Sequence, residues 1–582
     1  MKNVLKKMPI GIDNFKELIT KNGYFVDKSL LIGDIMDNLS KVVLFTRPRR
    51  FGKTLNFSML KCFLEIPECR KFDNEDEDYS YLFEGLKIGE DRRFVNEHLG
   101  RYPVINFSFK KVKANGWADA EYLFMEEVSR EYRRHSYLLD SSAIRTPGQK
   151  EKFERIMNQG GKIIEYTSAI TDLSTYLNSY FNKKAIILID EYDTPLHYAK
   201  LNGYYEEMLN VTRALMVDGL KGNDNIEKGI VTGIMKISQE SIFSAVNNPK
   251  IATITTKYCA DGFGFTEEEV MDMVRYYGME EYMETIREWY DGYIFGGDTV
   301  IYNPWSVIAY FDSEDHIPKA YWVNTGDTGL IKRCIQLDKV KGKEYIERLY
   351  KGETIEIEIE QNIVYEEVLN NVDKALSYLL HAGYLKARRV EGKGDTYYLG
   401  IPNRELFKIY ENILKNWFNI EKNIGTINEG LIESLLKGNM GDFEIYLQDI
   451  LLSSSSYFDA SGSKTSYSPT GIEKEKYENF YHGLILGIMV SIPDEYYIES
   501  NREYGLGRPD IVIIPKDKNK KAYILELKNE YTTSKKTAED AAKEALQQIK
   551  DKKYEEGVRN TGVREVVKIG LGFKGKELKI CL

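Results

Sequence analysis

Apolar runs along the chain end repeatedly in polar residues that carry chemistry. Val42-Val43-Leu44-Phe45 has no polar interruption, and Thr46-Arg47-Pro48-Arg49-Arg50-Phe51-Gly52-Lys53-Thr54 follows it directly. Leu55 to Leu64 then has helical spacing, so the stretch predicts strand, loop and helix. Ala185-Ile186-Ile187-Leu188-Ile189 is a second unbroken run and closes in Asp190-Glu191. This pattern predicts a buried parallel strand with carboxylates at its C-terminal edge. Lys228 to Gly233 reads as the next parallel strand, and Tyr102 to Phe109 as another by length and β-propensity. Between phosphate-type loop and acid-tipped strand, Asp119 to Tyr180 is charged and mostly helical, so helices are expected to be inserted in this core.

Residues 1–40 form a lead-in with a helix expected over Ser29 to Leu39 and Ser29 as its N-cap. Thr266 and Glu269 have capping-box spacing at the start of another helix. Trp289-Tyr290, Tyr293, Tyr302, Trp305 and Tyr321-Trp322 follow; aromatics beside turns stack bases in some proteins, but lid or core packing is the expected role here. Short helices and strands from 340 to 405 suggest a small winged-helix-like connector, and the serine-rich stretch 453–468 a loop or boundary. The expected division is a P-loop domain over 1–260, a helical lid over 261–340, a connector over 341–452 and a last domain over 471–582.

The first loop precedes a helix, and helix N-termini bind anions through free N–H groups and the dipole. Arg49, Arg50, Phe51, Gly52, Lys53 and Thr54 are therefore the expected phosphate cradle, with Lys53 neutralising phosphate and Thr54 holding magnesium. The usual pattern has a glycine where this chain has Arg47. Asp190 can share the magnesium, Glu191 can polarise the attacking water, and Thr232 can sense the γ-phosphate. Asp193 is expected to cap the loop or assist the metal; Arg213 reads as a surface arginine in preference to an arginine finger. ATP is the leading ligand.

A second constellation lies near the C-terminus. Ile511 to Ile514 and Ala522 to Lys528 are strand-like and joined by the polar turn Pro515 to Lys521. A hairpin of that length sets Asp510 beside Glu526 and Lys528, and the last two share a face because side chains alternate along a strand. Two carboxylates and a lysine on one face suit metal-assisted phosphodiester hydrolysis with Mg²⁺ or Mn²⁺. Glu478 borders the apolar stripe of an upstream helix and can reach the same metal. Ala541 to Tyr554 is expected to form a helix carrying Gln547 and Gln548. His482 is expected to pack or hydrogen-bond nearby, since hard metals prefer oxygen.

Composition adds a charge gradient. The formal net charge is −10, yet the residues from 501 onward hold 19 Lys and Arg against 13 Asp and Glu. A basic end on an acidic body marks where a polyanion would go. Five scattered cysteines give neither a disulfide framework nor a zinc pattern. The start is basic but lacks a long apolar core, and no run of eighteen apolar residues occurs, so a cytoplasmic protein without membrane partners is expected.

Residues from about 5 to 260 resemble the AAA-ATPase-like proteins of gut and anaerobic bacteria in Arg47 to Thr54, Asp190-Glu191-Tyr192-Asp193, Thr232-Gly233 and Phe243 to Asn248. The C-terminal region resembles the PD-(D/E)XK nuclease domain, with Glu478, Asp510, Glu526 and Lys528 at its motif positions and Gln548 as the helix glutamine. The resemblance implies an α/β protein: a P-loop core with a parallel sheet, a helical lid and connector, and a restriction-endonuclease-like domain. Catalysis would fall to Glu191, Asp510, Glu526 and Lys528, metal to Thr54, Asp190, Glu478, Asp510 and Glu526, and nucleic-acid contact to Arg508 and Gln548. It implies ATP-governed cleavage of nucleic acid, DNA first, and by analogy a role in defence against foreign DNA. The alternative is a signalling-type switch whose C-terminal domain binds nucleic acid or a partner without cutting. A homo-oligomer is the arrangement in which an arginine finger arrives from a second copy.

Overall fold

The computed structural model describes residues 5–73, 78–237, 249–322, 341–360, 371–411, 424–454, 481–482, 485–486, 488–489, 492, 495–500, 502–530, 534–575 and 577–582. Glu478, the family stretch 243–248 and positions 455–468 of the serine-rich stretch lie outside them. The chain divides between Phe407 and Lys408 into two compact units, a boundary that falls inside the stretch 341–452.

The first unit is built on a five-stranded sheet: β1 (Val42–Thr46), β2 (Val104–Ser108), β3 (Ala185–Asp190), β4 (Ile226–Gly233) and β5 (Lys250–Ala252). Their spatial order is β2-β3-β4-β1-β5, and every pairing is parallel. All residues of β1 and β3 are buried, which is why these strands read as continuous apolar runs. Because the strands run the same way, their C-terminal ends collect at one edge. Thr46 lies beside Gly233, and Ser108 beside Asp190. The helix Lys53–Leu64 leaves from that edge and buries Phe57, Leu60 and Phe63 in the core.

The outer strand β2 has its free edge occupied. Glu127 and Glu131 stand one turn apart on the helix Trp117–Arg134 and accept from the backbone N–H groups of Ser108 (2.6 Å) and Asn106 (2.8 Å). Two carboxylates spaced four residues apart on a helix match alternate N–H groups of a strand, which leaves no row of donors open to another chain. Arg134 in turn joins Glu131 (2.6 Å) to Glu65 (2.5 Å).

The lead-in differs from the expected capping. The helix is Leu30–Met36, and Ser29 makes no side-chain cap; its hydroxyl accepts from the Ile88 N–H instead (3.1 Å), while Asp27 accepts from the Ser29 N–H. The capping box at Thr266 and Glu269 is formed in both directions. Beyond it a small antiparallel sheet, β6 (Phe265–Thr266), β7 (Tyr293–Phe295) and β8 (Thr299–Tyr302), packs with the helices Glu267–Tyr277, Met283–Tyr290 and Pro304–Asp312. Trp289, Tyr290, Tyr293, Tyr302 and Trp322 are buried there. The unit closes with β9 (Ile355–Glu358), β10 (Lys386–Arg389) and β11 (Thr396–Gly400), ordered β10-β11-β9, beside the helices Lys341–Tyr350 and Val372–Ala382.

The second unit carries a mixed five-stranded sheet in simple sequence order: β12 (Tyr496–Ser500), β13 (Ile511–Pro515), β14 (Ala522–Glu530), β15 (Val566–Lys574) and β16 (Glu577–Cys581). The β14–β15 pair is parallel and the others antiparallel. The connecting helix Ala538–Asp551 is amphipathic and begins with a Thr537–Asp540 capping box. It ends three residues short of Tyr554, because Lys553 takes a left-handed conformation and starts a separate helix, Tyr554–Arg559. Gly570 and Gly572 face the first helix so closely that a Cβ there would meet its backbone at 2.2 and 2.0 Å. That contact presses the helix onto the sheet.

Candidate functional site

At the C-terminal edge of the parallel sheet, the chain turns after β1 through two left-handed residues, Arg50 (φ 69°) and Gly52 (φ 81°), into the helix Lys53–Leu64. Phe51 points inward, fully buried against Tyr293 (5.0 Å) and Phe295 (5.5 Å). Arg50 lies over the Trp305 ring, 4.3 Å from its centre, and Trp322 donates its indole N–H to the Arg49 carbonyl (3.2 Å). The loop is thus held from outside by aromatics of residues 293–322. The Lys53 ammonium donates to the carbonyls of Arg47 and Pro48, both at 2.9 Å. Burial lowers its proton affinity, while Glu191, Asp190 and Asp193 counter that effect.

Asp190 receives hydroxyls on both oxygens: Thr54 on one (2.8 Å) and Thr232 on the other (2.5 Å). Burial, with Glu191 beside it, raises its carboxyl above the usual range. Thr232 also accepts from the Glu191 N–H (3.3 Å), which ties the end of β4 to the end of β3. Glu191 takes a left-handed conformation (φ 53°) immediately after the strand and its carboxylate accepts from the Thr194 hydroxyl (3.1 Å). Asp193 is buried, its carboxyl pushed up to about 6 by burial, and it accepts from the N–H groups of Ile234 (2.7 Å) and Met235 (3.2 Å). Its observed role is to fix the chain after β4. Arg213 donates to Asn210 on its own helix (2.9 Å).

The sequence reading missed two lysines. Chain from the end of β2 brings Lys110 and Lys113 to the same edge: Lys110 pairs with Asp13 (2.8 Å), and Lys113 stands over the Tyr198 ring (5.5 Å). Burial lowers the Lys113 ammonium; the Glu191 charge raises it, and Arg49, Lys110 and Arg50 lower it further. Arg50, Lys53, Lys110 and Lys113 therefore all lie within the field of the Glu191 carboxylate. The signal was available, since parallel strands deliver whatever follows them to a common edge.

In the second unit, the β13–β14 hairpin sets Ile511 opposite Leu525 and so brings Asp510 and Glu526 together. Glu526 accepts from the Asp510 N–H (3.2 Å), and Asp510 accepts from the Leu527 N–H (2.8 Å). Glu526 is 2 % exposed. Burial and the neighbouring Asp510 charge raise its carboxyl, while Lys528 and Gln548 act in the opposite direction. The Gln548 amide donates to the other Glu526 oxygen. His482 places Nε2 3.0 Å from the Asp510 carbonyl and 3.2 Å from the Ser500 hydroxyl. Arg508 is exposed and pairs with Glu503 (2.8 Å). Among the described residues no cluster of three or more metal-ligating side chains is assembled. The two adjacent acids, whose mutual repulsion a divalent cation would relieve, fit a metal-binding pair.

A phosphate loop feeding a helix, with an acid-tipped parallel strand beside it, defines the first unit as a P-loop nucleotide-binding fold; the second unit is a mixed sheet of the nuclease-like type. Residues 9–243 match the family model described as predicted AAA-ATPase, and residues 476–582 match the PD-(D/E)XK nuclease superfamily. The chain thus joins an AAA-ATPase-like domain to a PD-(D/E)XK nuclease superfamily domain. It is also similar to a protein of Azotobacter chroococcum mcd 1 described as "Uncharacterized protein in vnfD 5'region", with 24% identity over 574 residues, covering 96% of this chain and 94% of that one. Among the described residues no helix is long and apolar enough to cross a membrane.

Proposed function

We propose that this is a cytoplasmic ATPase whose nucleotide site governs a metal-dependent DNA nuclease in the same chain. The pairing of Asp510 with Glu526, with Lys528 two residues along the same strand, carries the reading, because a domain that only bound nucleic acid would have no use for a buried acid set against a half-buried one. Asp510 and Glu526, with Glu478 as the expected third ligand, would hold a divalent cation, which when bound would neutralise charge and make a nearby water more acidic. Lys528 then orients the attacking water and meets the charge that develops on the phosphate. Gln548 holds the Glu526 carboxylate in place, leaving Arg508 to meet the nucleic-acid backbone.

At the nucleotide site, the N–H groups at the start of Lys53–Leu64 receive phosphate oxygens and Lys53 moves from the loop carbonyls to the β- and γ-phosphates. Thr54 and Asp190 would hold magnesium, Glu191 polarises the attacking water, and Thr232 senses the γ-phosphate at the end of β4.

Incubating the full chain with linear, circular and single-stranded DNA in Mg²⁺ or Mn²⁺ tests the cleavage. The wild type is expected to cut, and Asp510→Ala and Glu526→Gln to cut at least about a hundredfold more slowly. Equal cutting by wild type and Asp510→Ala would refute the assignment of this centre.

A further inference from the structure

Arg47 stands where the usual phosphate loop has glycine, and its side chain does not reach outward. It is fully buried, with its guanidinium carbon 5.3 Å from the ring centres of both Phe263 and Phe295. One terminal nitrogen donates to the carbonyls of Thr46 (2.9 Å) and Ala252 (2.7 Å), the other to that of Cys259 (2.9 Å). Three carbonyl acceptors and two aromatic faces replace the carboxylate that a buried arginine commonly meets. Burial lowers the group to about 10, so it remains a cation at neutral pH.

Its backbone is equally committed. The Arg47 N–H donates to the Gly233 carbonyl (3.1 Å) at the end of β4, and its own carbonyl is one of the two that receive Lys53. One residue therefore connects the end of β4, the loop lysine, the segment 252–263 and the aromatic hairpin of β7 and β8.

Resting on the nucleotide reading above, we propose that Arg47 is a positioning residue for nucleotide binding, whose buried guanidinium fixes the opening turn of the loop and so aims Lys53. Only a planar fork satisfies the carbonyls of Thr46, Ala252 and Cys259 together while lying over two rings. A lysine keeps the charge but loses the fork and the stacked plane. A glycine, the ordinary residue of this position, loses the anchor entirely.

The test is ATP affinity of the full chain with Mg²⁺, measured by titration calorimetry on wild type, Arg47→Lys, Arg47→Gly and Lys53→Ala, beside each variant's melting temperature without nucleotide. A misplacement of about 1 Å costs on the order of a hundredfold in positioned interactions, so Arg47→Gly is expected to bind at least about tenfold more weakly, with Arg47→Lys between it and wild type. A role confined to stability would lower the melting temperature of Arg47→Gly and leave the affinity of the folded protein within about twofold of wild type, which would overturn the proposal. Should Arg47→Gly fail to fold, Arg47→Lys decides: at least about threefold weaker supports it, unchanged affinity overturns it. Wild type that binds no ATP would sink the nucleotide reading itself and this proposal with it. Wild type that binds while Lys53→Ala does not would uphold that reading whichever way the Arg47 variants fall.

Discussion

Gly233 shows how closely the ends of the strands are packed. A Cβ added there would lie 2.6 Å from the Tyr192 ring and 2.8 Å from the Asp193 carboxylate, neither of which has room to yield because Tyr192 also holds Met235 and Ile237. Gly233→Ala is expected to cost about 1–3 kcal/mol in a urea unfolding series and to weaken ATP binding together with stability. Glu405 offers a pH-dependent case. It is buried, accepts from the Trp322 N–H (2.7 Å) and the Ser306 hydroxyl (2.8 Å), and burial pushes its carboxyl up to about 7. The folded state therefore holds a proton that the unfolded chain releases near pH 4.3, and stability falls as pH rises from there through about 7. Melting temperatures across pH 5 to 8 should show a fall that Glu405→Gln flattens. The motif residues were legible at this scale because Gly52-Lys53-Thr54, Asp190-Glu191 and Glu526-x-Lys528 are contiguous and chemically distinctive. The Arg47 anchor was not, since its acceptors lie some two hundred residues away at Ala252 and Cys259.

Elements followed the sequence wherever burial sets periodicity. β1 and β3 are buried on both faces and read as unbroken apolar runs, whereas the β13–β14 hairpin is bounded by its polar turn. Ends were less legible: Ser29 has a capping side chain, but a competing donor at Ile88 takes it, and the helix expected through Tyr554 breaks at a left-handed lysine. The edge of β2 was invisible in the sequence, although Glu127 and Glu131 have helical spacing, because nothing local says which strand they meet. Burial alone would raise the Glu131 carboxyl, yet Arg134 and His135 hold it well below the usual range. Glu131→Ala should remove a buried ion pair and the cap of Asn106 together, at a cost of about 3 kcal/mol or more in chemical denaturation. A loss under about 1 kcal/mol would show that the edge is not held this way.

The molecule as a whole is two compact units in one chain. The basic C-terminal balance belongs to the unit that carries Asp510 and Glu526, which suits a polyanionic substrate there. In the proposed nucleotide site of the acidic remainder, a buried lysine and a helix start would meet phosphate, a local arrangement that does not depend on net charge. The proposed function rests on the claim that the first unit's nucleotide governs the second unit's cleavage. It is tested most directly by the rate of DNA cutting in Mg²⁺ or Mn²⁺, with and without ATP, for wild type and Lys53→Ala. Wild-type cutting should change at least about fivefold on adding ATP, with Lys53→Ala still cutting but unresponsive. Cutting by both proteins at one rate, with ATP or without it, would contradict the claim.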